Sequence, residues 1–256
     1  MKNYIFEKPD NLVEFLESSV ARFPDRPLFG TRQADGRYEW ITYRDFGRRV
    51  DNLRGGLAAR GIGKEDAVGI IANNRVEWAA ASFATHGLNA RFVPMYEQEL
   101  LHVWEYIVRD SGVKLLFVSK PAILEQVKDF PGKIETLQKI ILIDGEGADT
   151  LASLEKEGEA RPIPAVHPAA YDIATLIYTS GTTGYPKGVM VSHYNAVSAT
   201  IQYHSNLTGK FPGLDKDGFL KCENHPRDLT DKWEFPIRYG IDSVLAVTPF
   251  THMMGY

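Results

Sequence analysis

The sequence predicts an α/β fold in which a mainly parallel sheet carries helices on its faces. Short apolar runs of strand length alternate with segments whose apolar residues recur at helical spacing, and the apolar runs are continuous. Continuous apolar strands are typical of a sheet covered on both faces, and strand–helix alternation is typical of βαβ units. With 256 residues, 44% of them hydrophobic, the chain is long enough to bury such a core.

The first sixty residues predict a helix, a β-hairpin and a second helix. Apolar residues repeat at helical spacing over residues 11–23, and Asp35-Gly36 is a typical hairpin turn before a strand over residues 38–41. Thr42 is a candidate helix N-cap, and Gly61 stands where a glycine commonly ends a helix. The second helix is therefore expected between Thr42 and Gly61.

Residues 67–143 predict four strands with helices between them. The strands are expected over residues 67–71, 91–93, 114–118 and 139–143. The second of these strands is expected to end at Pro94, and Asn74 is a candidate cap for a helix that stops at Gly87. Further helices are expected over residues 100–109 and 121–127.

Two segments lack a clear period. Residues 144–172 are poor in core residues and contain several glycines and prolines, so they are expected to form a connecting region. Residues 205–242 are polar and rich in Gly, Pro and Asp, and we expect a loop insertion there, although structureless loops of that length are uncommon in compact domains. Cys222 and His225 supply at most two zinc-type ligands, which does not indicate a metal site.

Charge and cysteine usage exclude several classes of protein. The net charge of −4 gives no basic excess, so nucleic acid is not an expected partner. The single cysteine, Cys222, cannot form an internal disulfide, which is compatible with a reducing compartment. No apolar run near Met1 has the length typical of a signal peptide, and the longest apolar runs are of strand length, so we expect neither a signal peptide nor a membrane span. We expect a cytoplasmic protein, and a peripheral membrane association is left open.

The chemistry of the chain concentrates in residues 178–188, which follow a predicted strand over residues 173–177. This loop offers hydroxyl groups, glycines and a lysine, at Thr179, Ser180, Gly181, Thr182, Thr183, Gly184 and Lys187. Glycines permit positive φ, so backbone N–H groups can converge on an anion, while hydroxyls and an ammonium add donors suited to a polyphosphate. The spacing differs from a Walker A loop, since Pro186 precedes Lys187 and Gly188 follows it, which disfavours a P-loop phosphotransferase. A Ser/Thr/Gly-rich surface turn is the alternative on composition alone.

The order of these residues resembles the phosphate-loop motif of the adenylate-forming superfamily, which comprises acyl-CoA synthetases, peptide-synthetase adenylation domains and firefly luciferase. Residues 189–195 continue the resemblance, and residues 38–43 are similar to the long-chain fatty acyl-CoA synthetases. Residues 248–255 resemble the Pro-x-x-His-x-x-Gly motif of the superfamily. The similarity covers most of residues 10–204 and 243–256.

The resemblance implies a ligase that joins a fatty acid to ATP, releases pyrophosphate and passes the acyl group to coenzyme A. It implies that residues 179–187 bind the phosphates, that Lys187 clamps them, and that Thr182 approaches Mg²⁺. It further implies that His252 lies between the adenylate and the acyl group. The predicted catalytic residues are therefore Lys187, Thr182 and His252, and Thr182 is the predicted metal ligand.

The resemblance also implies that the 256 residues are a partial, amino-terminal AMP-binding domain of the adenylate-forming fold. Family members continue with an adenine segment, a ribose-binding aspartate and a small C-terminal domain that bears a catalytic lysine, and we expect that domain to be absent here. The chain alone is then expected to be inactive. A truncated, non-catalytic nucleotide-binding or interaction module is the alternative. Long-chain acids are favoured, while short-chain and aryl acids and the oligomeric state stay open.

Overall fold

A computed structural model of the protein describes residues 8–179, 184–208, 210–217 and 220–224. The helices are α1 (Leu12–Arg22), α2 (Tyr43–Ala59), α3 (Val76–His86), α4 (Leu101–Asp110), α5 (Pro121–Val127), α6 (Phe130–Lys133), α7 (Leu151–Ala160) and α8 (His193–Thr208). The strands are β1 (Pro27–Arg32), β2 (Tyr38–Thr42), β3 (Ala67–Ile71), β4 (Arg91–Met95), β5 (Val113–Val118), β6 (Lys139–Leu142), β7 (Ile173–Thr179), β8 (Lys187–Ser192), β9 (Lys210–Leu214) and β10 (Leu220–Asn224).

The central sheet has six strands in the order β6-β5-β3-β4-β7-β8. All neighbours are parallel except β8, which runs antiparallel to β7. The chain passes from β3 through α3 to β4 on one side, and then returns through α4 to β5 on the other side of β3. This crossing places helices on both faces of the sheet. The predicted α/β class with a mainly parallel sheet is confirmed.

Each face of the sheet has its own hydrophobic core. One core joins the sheet to α1, α2, α3 and α7, and its buried side chains include Leu16, Phe46, Leu53, Trp78 and Leu154. The other joins the sheet to α4, α5 and α6, and its buried side chains include Trp104, Ile107, Val127 and Phe130. Burial of one such side chain stabilises the fold by roughly 1.5–3 kcal/mol, so the two layers fix the position of the sheet.

Caps and turns near the amino terminus agree with the sequence. The Asn11 side chain accepts a hydrogen bond from the Glu14 backbone N–H at the start of α1. Thr42 accepts one from the Asp45 backbone N–H at the start of α2, as its N-cap type predicts. Gly61 follows Arg60, the C-cap residue of that helix, with φ of 78°, a conformation that glycine adopts without strain.

Three expectations about element bounds were wrong. The N-cap position of α3 is occupied by Arg75 and not by Asn74, and the Arg75 guanidinium binds Glu77 and Asp144 and makes no capping hydrogen bond. Strand β4 runs through Pro94 to Met95, because proline tolerates extended backbone and β3 continues to pair with it. The strand predicted to end at Ile143 ends at Leu142.

Residues 144–172 are more than a connecting region, because they contain α7, which packs closely on α2. Gly55 and Gly56 of α2 face Gly158 of α7, and a Cβ atom on any of them would meet the backbone of the opposite helix. The side chains of Leu151 and Leu154 are buried against the first core. Gly158, one of the glycines that suggested a loop in the sequence, is therefore needed for close helix packing.

The segment 205–242 is not a structureless loop in its described part. Helix α8 continues to Thr208, and β9 pairs antiparallel with β10 over residues 210–224. Residues 225–242 lie outside the described residues. That the segment is an insertion relative to the family stays a prediction.

Candidate phosphate-binding site

The predicted phosphate loop connects β7 to β8 at the edge of the described sheet. The two strands pair from Ile173↔Ser192 to Thr179↔Lys187, so residues 180–186 are the connection between them. Strand β7 is parallel to β4, and its carboxyl end therefore lies at the same edge as the carboxyl ends of β3, β4 and β5. In open parallel sheets, ligands bind at that edge.

Part of the predicted set is brought together by this hairpin. Thr179 and Lys187 are Cα partners in the last pair, both are exposed, and Lys187 forms no ion pair with any residue in the described ranges. Gly184 has φ of 108°, a conformation that side-chain-bearing residues rarely adopt. The structure thus leaves an exposed ammonium close to Gly184, where the loop joins β8. Ser180, Gly181, Thr182, Thr183 and His252 lie outside the described residues.

Other charged groups at the carboxyl edge are engaged with one another. Arg75 donates to both carboxylate oxygens of Asp144 at 2.8 and 2.6 Å, and Lys120 donates to Glu97 at 2.7 Å. Each of these contacts joins the segments that follow two strands separated by a third, and each pairs charges that a ligand would otherwise meet. Lys187 differs because its charge is not matched by a carboxylate in the part of the chain that the structure describes.

Aromatic residues flank the loop on both sides, and no pattern in the sequence predicts their contacts. The Tyr178 hydroxyl donates to the Asp110 carboxylate at 2.6 Å, and burial, reinforced by this carboxylate, raises the pKa of Tyr178. The Tyr106 ring of α4 lies 6.5 Å from the Tyr178 ring and 4.9 Å from the Tyr185 ring, with which it stacks. Both arms of the hairpin therefore contact α4. Only the packing of α4 on the sheet brings these residues together.

Gly188 is required by the position of Tyr178. The two residues are Cα partners across the hairpin, and a Cβ on Gly188 would lie 3.1 Å from Cζ and 3.3 Å from the hydroxyl of the Tyr178 ring. The ring lies across the strand pair where a side chain on β8 would stand. The glycine that closes the loop motif thus has a packing role in addition to any role in binding.

Helix α8 begins directly after β8, and its start is fixed by Ser192. The Asn195 backbone N–H donates to Ser192 Oγ, as predicted for an N-cap serine. His193 is fully buried, its Nδ1 accepts a hydrogen bond from the Leu12 backbone N–H, and burial lowers its pKa to about 4. His193 therefore joins α1 to α8 as a neutral residue inside the protein.

Metal binding and membrane insertion can be considered for the described residues. No group of three or more His, Cys, Asp or Glu side chains in the described ranges is arranged to hold a metal ion. Thr182, the predicted magnesium ligand, lies outside those ranges. Over the same residues, no helix has the length and apolar character that a membrane span needs.

Comparison with known sequences supports the resemblance noted above. The family model of the AMP-binding enzyme matches residues 16–256. Fatty acyl-CoA synthetase A of Dictyostelium discoideum is 31% identical over 207 residues, which cover 73% of this chain and 31% of that protein. Long-chain-fatty-acid–CoA ligase 1 of Homo sapiens is 29% identical over 216 residues, which cover 76% of this chain and 30% of that protein. The chain thus spans less than a third of these relatives.

Comparison with solved structures supports the same fold. An anthranilate–CoA ligase crystallised with anthranoyl-AMP aligns with a TM-score of 0.67 and 25% identity, over 78% of this chain and 38% of that one. A Rhodopseudomonas palustris protein described as a putative long-chain-fatty-acid CoA ligase aligns with a TM-score of 0.66 and 23% identity, over 78% and 49% of the two chains. Together with the match over residues 16–256, these findings show that the chain belongs to the AMP-binding enzyme family.

Proposed function

We propose that the protein activates a fatty acid with ATP, and that this chain supplies the loop that binds the nucleotide's phosphates. Membership in the AMP-binding family and the long-chain acyl-CoA ligases among its relatives support the reaction class. The observation that carries the proposal is the exposed Lys187 ammonium, which has no ion-pair partner in the described ranges and stands at the mouth of the β7–β8 loop.

The reaction we propose is formation of an acyl-adenylate. A carboxylate oxygen attacks the α-phosphorus of ATP, the bond from that phosphorus to the bridging oxygen breaks, and pyrophosphate leaves. Negative charge builds on the departing β- and γ-phosphates as this bond breaks. A cation fixed beside those phosphates stabilises the charge without moving a proton, which is the role proposed for Lys187.

The loop is chemically suited to this charge. Lys187 offers an ammonium with three donors, and Gly184 turns the chain through positive φ, which lets consecutive N–H groups face an anion. Hydroxyls of Thr179 and of Ser180, Thr182 and Thr183 are proposed to add donors. When bound, Mg²⁺ would neutralise phosphate charge, and Thr182 is proposed as the residue of this chain that holds it.

Coenzyme A is the proposed acyl acceptor, and His252 is proposed to lie at the wall between the adenylate and the acyl group. Long-chain fatty acids are the proposed substrates, because residues 38–43 and the relatives' names point to that branch. The 256 residues alone are proposed to bind ATP without turnover, since relatives extend over more than three times the matched length.

The test is ATP–pyrophosphate exchange by the full product of the gene, with hexadecanoate, acetate and a hydroxycinnamate as alternative acids. Exchange that depends on hexadecanoate supports the proposal. Exchange with acetate or the hydroxycinnamate alone contradicts the long-chain assignment and leaves the ligase class intact. No exchange with any acid, with ATP binding retained, would instead favour a non-catalytic nucleotide-binding module.

A further inference from the structure

The phosphate loop is bracketed by two tyrosines that meet the same partner. Tyr178 is the penultimate residue of β7, and Tyr185 stands two residues before β8. Tyr106 of α4, which is partly buried against the second core, stacks on Tyr185 with ring centroids 4.9 Å apart and an interplanar angle of 29°. The same ring meets Tyr178 edge-on at 6.5 Å and 87°. The ring of Tyr106 thus contacts one tyrosine at each end of the loop.

A hydrogen bond also holds Tyr178, which lies at the β7 end of the loop. The Tyr178 hydroxyl donates to Asp110 Oδ2 at 2.6 Å, and Asp110 is the last residue of α4. Gly188 leaves room for the Tyr178 ring, since a Cβ there would come within 3.1 Å of it. Ring position, hydroxyl contact and the opposing glycine all fix the same side chain. We call Tyr106, Asp110, Tyr178 and Tyr185 the tyrosine clasp.

At the β8 end of the loop, Tyr185 is held by its stack on Tyr106. The Tyr185 side chain is 65% exposed, and in the described part of the chain its ring stacks on the ring of Tyr106. An exposed aromatic side chain without such a contact samples several rotamers, and the backbone that carries it is freer as well. Tyr178 and Tyr185 are therefore both held against the same helix, α4.

We propose that Tyr106 and Asp110 are positioning residues that order the loop between Tyr178 and Tyr185 for the phosphates of ATP. The inference rests on the proposed function, because it assigns the ordered loop to nucleotide binding. Neither residue belongs to the loop motif, and neither is placed against the substrate. They act through the two tyrosines, so their loss should weaken ATP binding and leave the chemical step at saturating ATP largely intact.

The test compares two stacked tyrosine pairs that lie at opposite ends of β7. Tyr171 stacks on Tyr194 at 5.3 Å and 28°, and its side chain is 76% exposed, so Tyr171→Ala removes a similar contact about 20 Å from the loop. Tyr106→Ala and Tyr185→Ala each remove the clasp stack, and Tyr106→Phe keeps the ring. Two quantities are measured on the full gene product: KM for ATP in pyrophosphate exchange, and amide hydrogen exchange of residues 179–188.

Tyr106→Ala and Tyr185→Ala should each raise KM for ATP about two- to tenfold, as the loss of one aromatic pair predicts, with little change in kcat. The double variant should be no worse than Tyr106→Ala alone, because Tyr185→Ala removes a stack that Tyr106→Ala has already removed. Amide exchange of residues 179–188 should accelerate in both, while Tyr106→Phe and Tyr171→Ala should match the wild type.

Wild-type KM and amide exchange in Tyr106→Ala would overturn the proposal, as would an equal effect of Tyr171→Ala. Additive effects of Tyr106→Ala and Tyr185→Ala would overturn it too, since they would indicate that Tyr185 contacts ATP directly. A wild-type protein without any pyrophosphate exchange would contradict the proposed function instead. In that case the amide exchange alone decides whether the clasp orders the loop, and unchanged rates in Tyr106→Ala refute it.

Discussion

Helices α2 and α7 lie in close contact at Gly158. An added methyl group at this glycine should therefore lower the free energy of unfolding more than at any other described glycine. A Cβ built on Gly158 would overlap the carbonyl oxygen of Asn52 and would lie 2.5 Å from the backbone nitrogen of Gly56. Both obstacles are backbone atoms of a helix, so no side-chain rotation can relieve them. Gly158→Ala therefore requires the two helices to move apart by about 1 Å or more, in an interior packed like a crystal.

Two opposing effects set the magnitude. Alanine is favoured over glycine within a helix by roughly 1 kcal/mol. Overpacking a tight interface costs typically about 1–3 kcal/mol and sometimes more, and here separation also loosens buried Leu154 and the ion pair of Arg49 with Glu155 at 2.5 Å. Backbone overlap places this site at the upper end of that range. The steric clash should outweigh the higher helix propensity of alanine, with a net loss of about 2 kcal/mol in the free energy of unfolding.

Urea denaturation of the purified protein measures this loss, and it corresponds to a fall of about 4–8 °C in Tm. Gly132→Ala is the matched control, because Gly132 also lies in a helix, α6, and a Cβ there would have no neighbour within 4 Å. Gly132→Ala should be neutral or slightly stabilising. A Gly158→Ala protein as stable as the wild type, or a Gly132→Ala protein that loses as much, would refute the packing inferred for α2 and α7.

The remaining predictions concern charge. Burial first, and then the neighbouring His193, lowers the pKa of His86, while burial lowers that of His193 to about 4 against the opposing charge of Asp172. Both folded-state pKa values lie below the unfolded value, so the free energy of unfolding should stay constant above pH 6.5 and fall towards pH 4. His193 alone should account for a fall of about 3 kcal/mol. Urea midpoints that do not change between pH 6.5 and pH 4 would contradict this prediction. Arg75→Met, which frees the half-exposed Asp144, should cost about 1–2 kcal/mol at pH 7, and less in high salt, by the same assay.

The sequence predicted the parallel layers because their cause is local. Continuous apolar runs such as Ala67–Ile71 can be stable only when covered on both faces, and caps such as Thr42 act within one helical turn. Helix α7 was missed for the opposite reason. Its glycine, Gly158, suits a helix only when α2 lies against it, and that partner is about a hundred residues away in the chain.

In the candidate site too, features that depend on adjacent residues were predictable and contacts that depend on tertiary packing were not. The loop itself was predictable, since hydroxyls, glycines and Lys187 are adjacent in the sequence and bear their chemistry wherever the loop lies. The clasp was not predictable, because Tyr106 and Tyr178 are separated by two strands and become neighbours only when α4 packs beside β7. Contacts that depend on tertiary packing leave no periodic trace in a single sequence.

Equilibrium binding of ATP with Mg²⁺ to Lys187→Met, compared with the wild type, tests phosphate binding by the loop most directly. A charged hydrogen bond is worth about 1.5–3 kcal/mol, so the variant should raise Kd roughly ten- to a hundredfold. Lys64→Met, at the opposite edge of the sheet beside Arg91 and Asp172, is the control and should leave Kd unchanged. Equal affinity of Lys187→Met and the wild type would show that ATP phosphates are bound elsewhere.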